Sequence, residues 1–156
     1  MKSSIMIGGK SPKNNRNEPA CGNGAISKVM EERNFEVIST DLHDRGYGEG
    51  GMNFLTAECN CGSIITNPPF NLAADFIEHA ATKEVPFAML TKSTFWHAAK
   101  RHRLFRQTKP MVVMAMTWRP AMSPERGKSA TMDFIWTVWG SGPHSKTQYI
   151  LAGRPD

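Results

Sequence analysis

Apolar and polar positions along the chain form short blocks of two kinds. Residues 35–40 and 63–66 are rich in β-branched side chains and end at turn signals, which predicts two strands. Residues 71–82 place Leu72, Phe76, Ile77 and Ala80 on one helical face, which predicts a helix. The first half of the chain is therefore expected to alternate between strands and helices.

The second half completes the pattern of a sheet. Residues 85–91, 111–117, 131–139 and 148–152 are strand-like, and residues 94–107 predict a further helix. Early alternation followed by two strands close together indicates an α/β fold whose sheet is mostly parallel with an antiparallel edge strand. A length of 156 residues suits one domain. We expect a polar N-terminal arm over residues 1–17 and the folded domain over residues 18–156.

Composition excludes several classes of protein. A hydrophobic content of 40% argues against disorder throughout, and no uncharged apolar run approaches the roughly 20 residues that cross a bilayer. The first ten residues hold no apolar stretch long enough for a secretory signal. Three cysteines, an odd number, favour a reducing compartment over a disulfide framework. We therefore expect a cytoplasmic protein without a membrane partner.

Charge is divided unevenly between the two halves. Residues 1–78 carry seven basic and ten acidic side chains, whereas residues 79–156 carry twelve basic and four acidic ones. Such an excess is typical of a surface that binds a polyanion, although a solvated basic face is the alternative. The candidate nucleic-acid contacts lie in the predicted helix and in a later proline-containing loop. They are Lys100, Arg101, Arg103, Arg106, Arg119, Arg126 and Lys128.

A glycine-containing loop, EPACGNG over residues 18–24, precedes a helical pattern. Gly22 and Gly24 let the backbone approach a ligand closely and direct the N–H groups of a helix N-terminus toward it. Asp41 follows the strand 35–40, about 20 residues after this loop. In doubly wound sheets that position holds an adenosine ribose by its hydroxyl groups. A helix cap or a turn aspartate is the alternative for Asp41.

A second loop, NPPF over residues 67–70, follows the strand 63–66. Two successive prolines fix φ and remove two N–H donors, so the carbonyl groups around Asn67 and Pro68 point in set directions. Such a turn presents two acceptors to an amino group while Phe70 covers a planar ring. A plain stop between strand and helix is the alternative.

Together these segments resemble the amino-methyltransferases that use S-adenosylmethionine, especially phage-type and Dam-like DNA adenine-N6 methyltransferases. The resemblance implies a Rossmann-like class I methyltransferase fold, S-adenosylmethionine as cofactor, and nucleic acid as substrate, with DNA preferred over RNA. NPPF or NPPY also occurs in enzymes that methylate ribosomal RNA bases and protein glutamine amides. The cofactor-binding residues that the resemblance implies are Glu18, Pro19, Ala20, Cys21, Gly22, Asn23, Gly24, Asp41, Leu42, Asn53 and Phe54.

The same resemblance makes Asn67, Pro68, Pro69 and Phe70 the catalytic residues. Acceptance of the adenine amino hydrogens by the Asn67 side chain and the Pro68 carbonyl would free the nitrogen lone pair for direct attack, while Phe70 stacks on the base. This chemistry requires no metal. Cys59 and Cys61 suggest zinc, but the second pair of a structural site is missing, and two loop cysteines are the other interpretation.

The chain departs from the family pattern in three respects. Residues 13–17 are polar where the family has an apolar first strand, so the N-terminus is either rebuilt or truncated, or Ile5–Ile7 supplies a displaced strand. Asn53 stands where an aspartate is common. No target-recognition domain is evident, so sequence specificity would come from short loops or from a partner chain, and the protein could act as an oligomer. An RNA base methyltransferase and a non-catalytic, truncated binding protein remain the alternative functions.

Overall fold

The computed structural model describes residues 14–120 and 132–154. Seven strands lie in these ranges: β1 Asn15–Glu18, β2 Glu36–Ser39, β3 Ser63–Thr66, β4 Phe87–Lys92, β5 Val112–Met116, β6 Phe134–Trp139 and β7 Gln148–Ala152. Three α-helices accompany them: α1 Ala25–Glu32, α2 Ala73–Ala81 and α3 Arg101–Gln107. Short 3₁₀ helices cover Phe70–Leu72 and Ser93–His97. No helix of the described ranges is long and apolar enough to cross a membrane.

All seven strands pair in one sheet, in the order β2-β1-β3-β4-β6-β5-β7. Strands β2, β1, β3 and β4 pair parallel with one another, β6 runs antiparallel between β4 and β5, and β7 pairs parallel with β5. The prediction of a mostly parallel α/β sheet with one antiparallel strand is confirmed, but that strand, β6, lies inside the sheet and not at its edge as predicted. Since β6 opposes both neighbours, β5 points the same way as β4, and the carboxyl ends of β1 to β5 meet at one edge.

The polar segment before Glu18 does form a strand, β1, at the position where the family has its apolar first strand. The expectation that this strand is missing or displaced was therefore wrong. Its backbone pairs with β2 on one side and β3 on the other, in the middle of the parallel sheet. Its polar side chains find partners there: Asn15 Oδ1 accepts a hydrogen bond from Gly62 N at 3.0 Å, and Arg16 lies over the Phe35 ring at 4.8 Å. The strand thus begins inside the range assigned to the arm. Residues 5–7 lie outside the described residues.

The hydrophobic core lies on one face of the sheet, beneath α2 and α3. Its centre is formed by Ile64 of β3, Met89 of β4 and Ile77 of α2, all fully buried. Phe87 and Trp139, paired in register across β4 and β6, stack with ring centroids 4.7 Å apart. Burial of each such side chain contributes roughly 1.5–3 kcal/mol. This packing holds the strand ends, and the loops that follow them, in fixed relative positions.

The continuous helix predicted over residues 94–107 is broken. A 3₁₀ helix ends at His97, Ala98 is extended, and α3 begins only at Arg101. Aromatic packing accounts for the break: Trp96 stacks on Phe105 with centroids 4.1 Å apart, and the Arg101 guanidinium lies 4.3 Å from the centre of the Phe95 ring. These contacts fold the 3₁₀ segment back against α3, which a straight helix would prevent.

Cys59 and Cys61 lie side by side in the loop before β3, at a separation that permits a disulfide. Their Cα atoms are 5.4 Å apart, within the usual range for such a bond, because the loop before β3 is non-helical at this point. The described residues contain no group of three or more His, Cys, Asp or Glu side chains placed to hold one metal ion. Cys21 is a free, buried thiol.

Candidate active site

A cleft of about 670 Å³ opens at the edge of the sheet where the parallel strands end. The loops after β1, β2 and β3 converge there, because parallel neighbouring strands release their following loops at the same edge. Every residue that the sequence analysis assigned to cofactor binding lines this cleft except Gly24, and all four of residues 67–70 line it too. The structure therefore brings two separate motifs into one site.

The glycine-containing loop is fixed by hydrogen bonds to the end of β2. Cys21 N donates to Thr40 O at 3.0 Å, and Gly22 N donates to Asp41 Oδ2 at 2.9 Å. Gly22 has a φ of 55°, a conformation that favours glycine. No atom lies within 4 Å of the position that a Gly22 Cβ would occupy, so the backbone is open toward the cleft.

Gly24 has a structural position behind the cleft. It is the N-cap of α1, with a φ of 80°, and a Cβ there would overlap the ring of Tyr47. Tyr47 donates from its hydroxyl to the Glu31 carboxylate at 3.2 Å, and Lys28 Nζ lies 5.0 Å from its ring centre. The missing side chain at Gly24 therefore lets the loop after β2 pack against α1.

Asp41 is buried at the floor of the cleft with its carboxylate held in place. Besides the Gly22 bond, Oδ1 accepts a hydrogen bond from His43 N at 2.9 Å, and Arg45 Nε lies 3.8 Å from the same oxygen. The bond from His43 N is typical of a turn aspartate, which was the alternative interpretation of Asp41. A carboxylate offers about four acceptor positions, so capacity for further donors remains.

Glu18 closes the rear of the cleft and is 2% exposed. Its Oε2 accepts hydrogen bonds from Ser27 N at 2.7 Å and from the Ser27 hydroxyl, which in turn lies 2.6 Å from the Ser39 hydroxyl. Burial raises the pKa of Glu18 to about 7, against the opposing effect of the Ser27 hydrogen bonds. The side chain thus joins the end of β1 to α1 and β2.

The turn after β3 presents an acceptor that has no donor. Pro68 is buried, and Leu72 N donates to Pro69 O at 2.9 Å, which closes the 3₁₀ helix. Asn67 Oδ1 is buried and has no hydrogen-bond partner in the part of the chain that the structure describes. An unpaired buried acceptor costs about 1–3 kcal/mol, so this geometry favours a ligand that donates.

Phe70 lies at the mouth of the cleft and is 39% exposed. Lys92 Nζ lies 4.1 Å from the centre of its ring, and the Phe134 ring centroid lies 6.0 Å away. Neither Lys92 nor Phe134 was predicted as a site residue from the sequence. The sequence did hold a signal for Lys92, because it directly follows the apolar run 85–91. A residue that ends a parallel strand lies at the same edge of the sheet as the loops 18–24 and 67–70.

Asn53, Phe54 and Leu42 form the far wall of the cleft. Asn53 is exposed and its Oδ1 accepts from Leu55 N at 3.1 Å, which leaves the amide nitrogen to donate. Phe54 is largely buried and packs on Phe76 with centroids 4.9 Å apart. Leu42 is half exposed. His43, Arg45 and Met52 also line the cleft and were not predicted.

The predicted nucleic-acid contacts fall into three groups. Lys100, Arg103 and Arg106 are exposed, while Arg101 is half-buried against Phe95; none of the four pairs with a carboxylate of the described residues. Arg119 pairs with Asp133, Nε to Oδ1, at 2.7 Å. Arg126 and Lys128 lie outside the described residues.

Solved structures of similar fold are methyltransferases. A protein from Listeria monocytogenes described as a class I S-adenosylmethionine-dependent methyltransferase matches with a TM-score of 0.55 and 12% identity, over 92% of this chain and 59% of that one. Geranyl diphosphate methyltransferase, in complex with GPP and sinefungin, matches with a TM-score of 0.55 and 12% identity, over 87% and 74% of the two chains.

A protein from Vibrio vulnificus described as a modification subunit of a type I restriction enzyme matches with a TM-score of 0.54 and 14% identity. The match covers 93% of this chain and 44% of that one, so the chain spans less than half of that protein's length. No protein-family model matches, and no curated protein sequence is significantly similar. The sheet, the position of the cleft and these neighbours together show that the chain has the fold of the class I S-adenosylmethionine-dependent methyltransferases.

Proposed function

We propose that this protein transfers a methyl group from S-adenosylmethionine to an exocyclic amino nitrogen, and specifically to N6 of adenine in DNA. The observation that carries the proposal is the buried Asn67 Oδ1, an acceptor without a donor, in the same cleft as the Asp41 carboxylate. An amino substrate supplies the missing donor. The carboxylate is suited to the hydroxyl groups of an adenosine ribose.

The cleft residues fit the proposed cofactor. The cleft has a volume of about 670 Å³, within the range of roughly 300–1,000 Å³ that is usual for small-molecule and cofactor sites. Asp41 would hold the ribose hydroxyls, the open backbone at Gly22 would allow close approach, and Leu42 and Phe54 would provide apolar walls for the adenine ring. When bound, S-adenosylmethionine would supply a methyl group on a positively charged sulfur, and on transfer the sulfur–methyl bond would break with its electron pair left on the sulfur of a neutral thioether.

The turn at residues 67–70 prepares the nucleophile. The lone pair of an exocyclic adenine nitrogen is delocalised into the ring, so the group is a poor nucleophile in its planar form. Asn67 Oδ1 and the Pro68 carbonyl would accept hydrogen bonds from the two N–H groups of the adenine amino nitrogen and so favour a tetrahedral nitrogen. One proton leaves that nitrogen for solvent water at the mouth of the cleft as the new bond forms. The residues act by positioning and by electrostatics.

Nucleic acid is the substrate class favoured by the exposure of Phe70 and by the basic side chains at the start of α3 and along it. The partly exposed Phe70 ring is suited to stack on a base extruded from a duplex, at an unstacking cost of a few kcal/mol. Lys100, Arg103 and Arg106 are exposed cations without carboxylate partners among the described residues, as phosphate binding requires. We further propose that the protein acts in the cytoplasm and that short loops or a partner chain provide sequence specificity.

Labelled methyl transfer to DNA and to RNA tests the proposal. We expect label in DNA with the parent protein and with Asn60→Ala, an exposed asparagine away from the cleft, and loss of transfer with Asn67→Ala. Label in RNA alone would overturn the DNA assignment. Absence of S-adenosylmethionine binding in a calorimetric titration would overturn the enzymatic function and favour a non-catalytic binding protein.

A further inference from the structure

We propose that Lys92 is a substrate-positioning residue that binds a phosphate of the nucleotide whose base stacks on Phe70. The inference rests on the proposed function, because it assigns the substrate contact of the same cleft. Lys92 is absent from the residues that motif or charge clustering singled out. Its role follows from three relationships in the fold.

The first relationship is the alternation of side chains along β4. Leu90 lines the cleft, and Lys92, two residues further on, points to the same face of the sheet. Lys92 is also the last residue of the strand, at the edge where the cleft opens. The ammonium group therefore lies beside Phe70, which lines the cleft.

The second relationship is the contact with Phe70. Lys92 Nζ lies 4.1 Å from the centre of the Phe70 ring. Phe134, the cross-strand partner of Lys92, lies on the same face of the sheet as Lys92, and its ring centroid is 6.0 Å from that of Phe70. A cation over a ring is favourable and orients the ring. Phe70 nevertheless keeps 39% of its surface exposed, so part of the ring stays available to a base.

The third relationship concerns charge. Asp133 precedes Phe134 in the chain, but its carboxylate is paired with Arg119 at 2.7 Å and its carbonyl accepts from Ser93 N at 2.9 Å. No carboxylate of the described residues lies within ion-pair distance of Lys92. An ammonium group beside a base-stacking ring is placed for a nucleotide phosphate when Asp133, next to its cross-strand partner Phe134, is already paired with Arg119.

Binding of a fluorescein-labelled DNA duplex of mixed sequence, measured between about 50 and 200 mM salt, tests this role. Lys92→Met preserves length and apolar contact but removes the charge. We expect its salt dependence to weaken by about one phosphate contact, with the log–log slope smaller by about 1. In methyl transfer, KM for the duplex should rise about tenfold, with a smaller change in kcat.

Two variants complete the experiment. Lys92→Arg keeps the positive charge and should restore both the slope and KM, which a purely structural role for the lysine would not predict. Lys146→Met removes an exposed charge at the opposite edge of the sheet and should leave both unchanged. A parental slope and KM in Lys92→Met, or failure of Lys92→Arg to rescue, would overturn the assignment. Failure of the parent protein to methylate any nucleic acid would instead refute the proposed function.

Discussion

Gly22 N donates a hydrogen bond to Asp41 Oδ2 at 2.9 Å, although the two residues are 19 positions apart. The bond ties the glycine-containing loop after β1 to the end of β2. It also orients the carboxylate that faces the cleft, because one of its oxygens is committed to the loop. A single interaction therefore maintains the shape of the loop and positions the acidic group.

Replacement of Asp41 by asparagine should weaken cofactor binding. The amide retains one acceptor for a backbone N–H group but loses the charge and the second acceptor, so ribose hydroxyls lose a charge-assisted partner. We expect the Kd for S-adenosylmethionine to rise about 10–100-fold, equivalent to roughly 1.4–2.8 kcal/mol. Isothermal titration calorimetry measures this change. Asp44→Asn, in an exposed turn, is the matched control, and equal affinities in the two variants would contradict the assigned role.

Glu18 should make stability depend on pH. Its pKa is raised from 4.5 to about 7 in the fold, so the neutral form is the favoured native form. Its stabilising contribution is complete below pH 4.5, falls as pH rises toward about 7, and is constant above that value. Glu18→Gln removes this dependence and should gain about 3 kcal/mol on the parent across that interval, since each pKa unit corresponds to about 1.4 kcal/mol.

Urea unfolding of both proteins at several pH values measures this difference. Glu36→Gln, an exposed position on β2, should leave the pH profile of the parent unchanged. Parallel profiles for the parent and Glu18→Gln would show that burial does not raise this pKa.

The two loop glycines should differ in their tolerance of alanine. Gly22→Ala introduces a side chain at positive φ but meets no atom within 4 Å, so we expect a loss of about 1–2 kcal/mol in the free energy of unfolding. Gly24→Ala adds the overlap with Tyr47 to the same backbone strain and should lose more. Thermal denaturation compares them. Tyr47→Ala should recover part of the Gly24→Ala loss, whereas equal losses at both glycines would refute the packing argument.

Thr137 should be better replaced by valine. Its hydroxyl is buried in β6 without a hydrogen-bond partner among the described residues, and removal of an unpaired polar group should stabilise the fold by about 1 kcal/mol. Thr108→Val is the contrasting control, since the Thr108 hydroxyl donates to Leu104 O at 2.7 Å and its loss should destabilise. Chemical denaturation that ranks the two variants the other way would contradict this account.

Hydrophobic patterns and turn residues predicted the strands and loops whose conformation depends on neighbouring residues in the chain. Strands β3 and β7 have the predicted bounds, and the motif residues Asp41 and Asn67 lie in one cleft because parallel strands place successive loops together. Strand β1 escaped prediction because its hydrogen bonds come from strands 20 to 50 residues away in the chain, and its side chains are polar.

The remaining differences arise from contacts across the fold. The break before α3 results from aromatic packing between Trp96 and Phe105, which helical periodicity does not encode. Lys92 meets Phe70 only because β4 lies beside β3 in the sheet. Residues of this kind become evident when strand order and register are known.

Mass spectrometry of nucleosides from DNA incubated with the protein and S-adenosylmethionine tests the central claim most directly, because it identifies the atom that receives the methyl group. An exocyclic amino target, held by Asn67 Oδ1 and the Pro68 carbonyl, predicts N6-methyladenine in the parent reaction and none with Asn67→Ala. A methyl group on a ring carbon, or N6-methyladenine that persists in Asn67→Ala, would contradict the account.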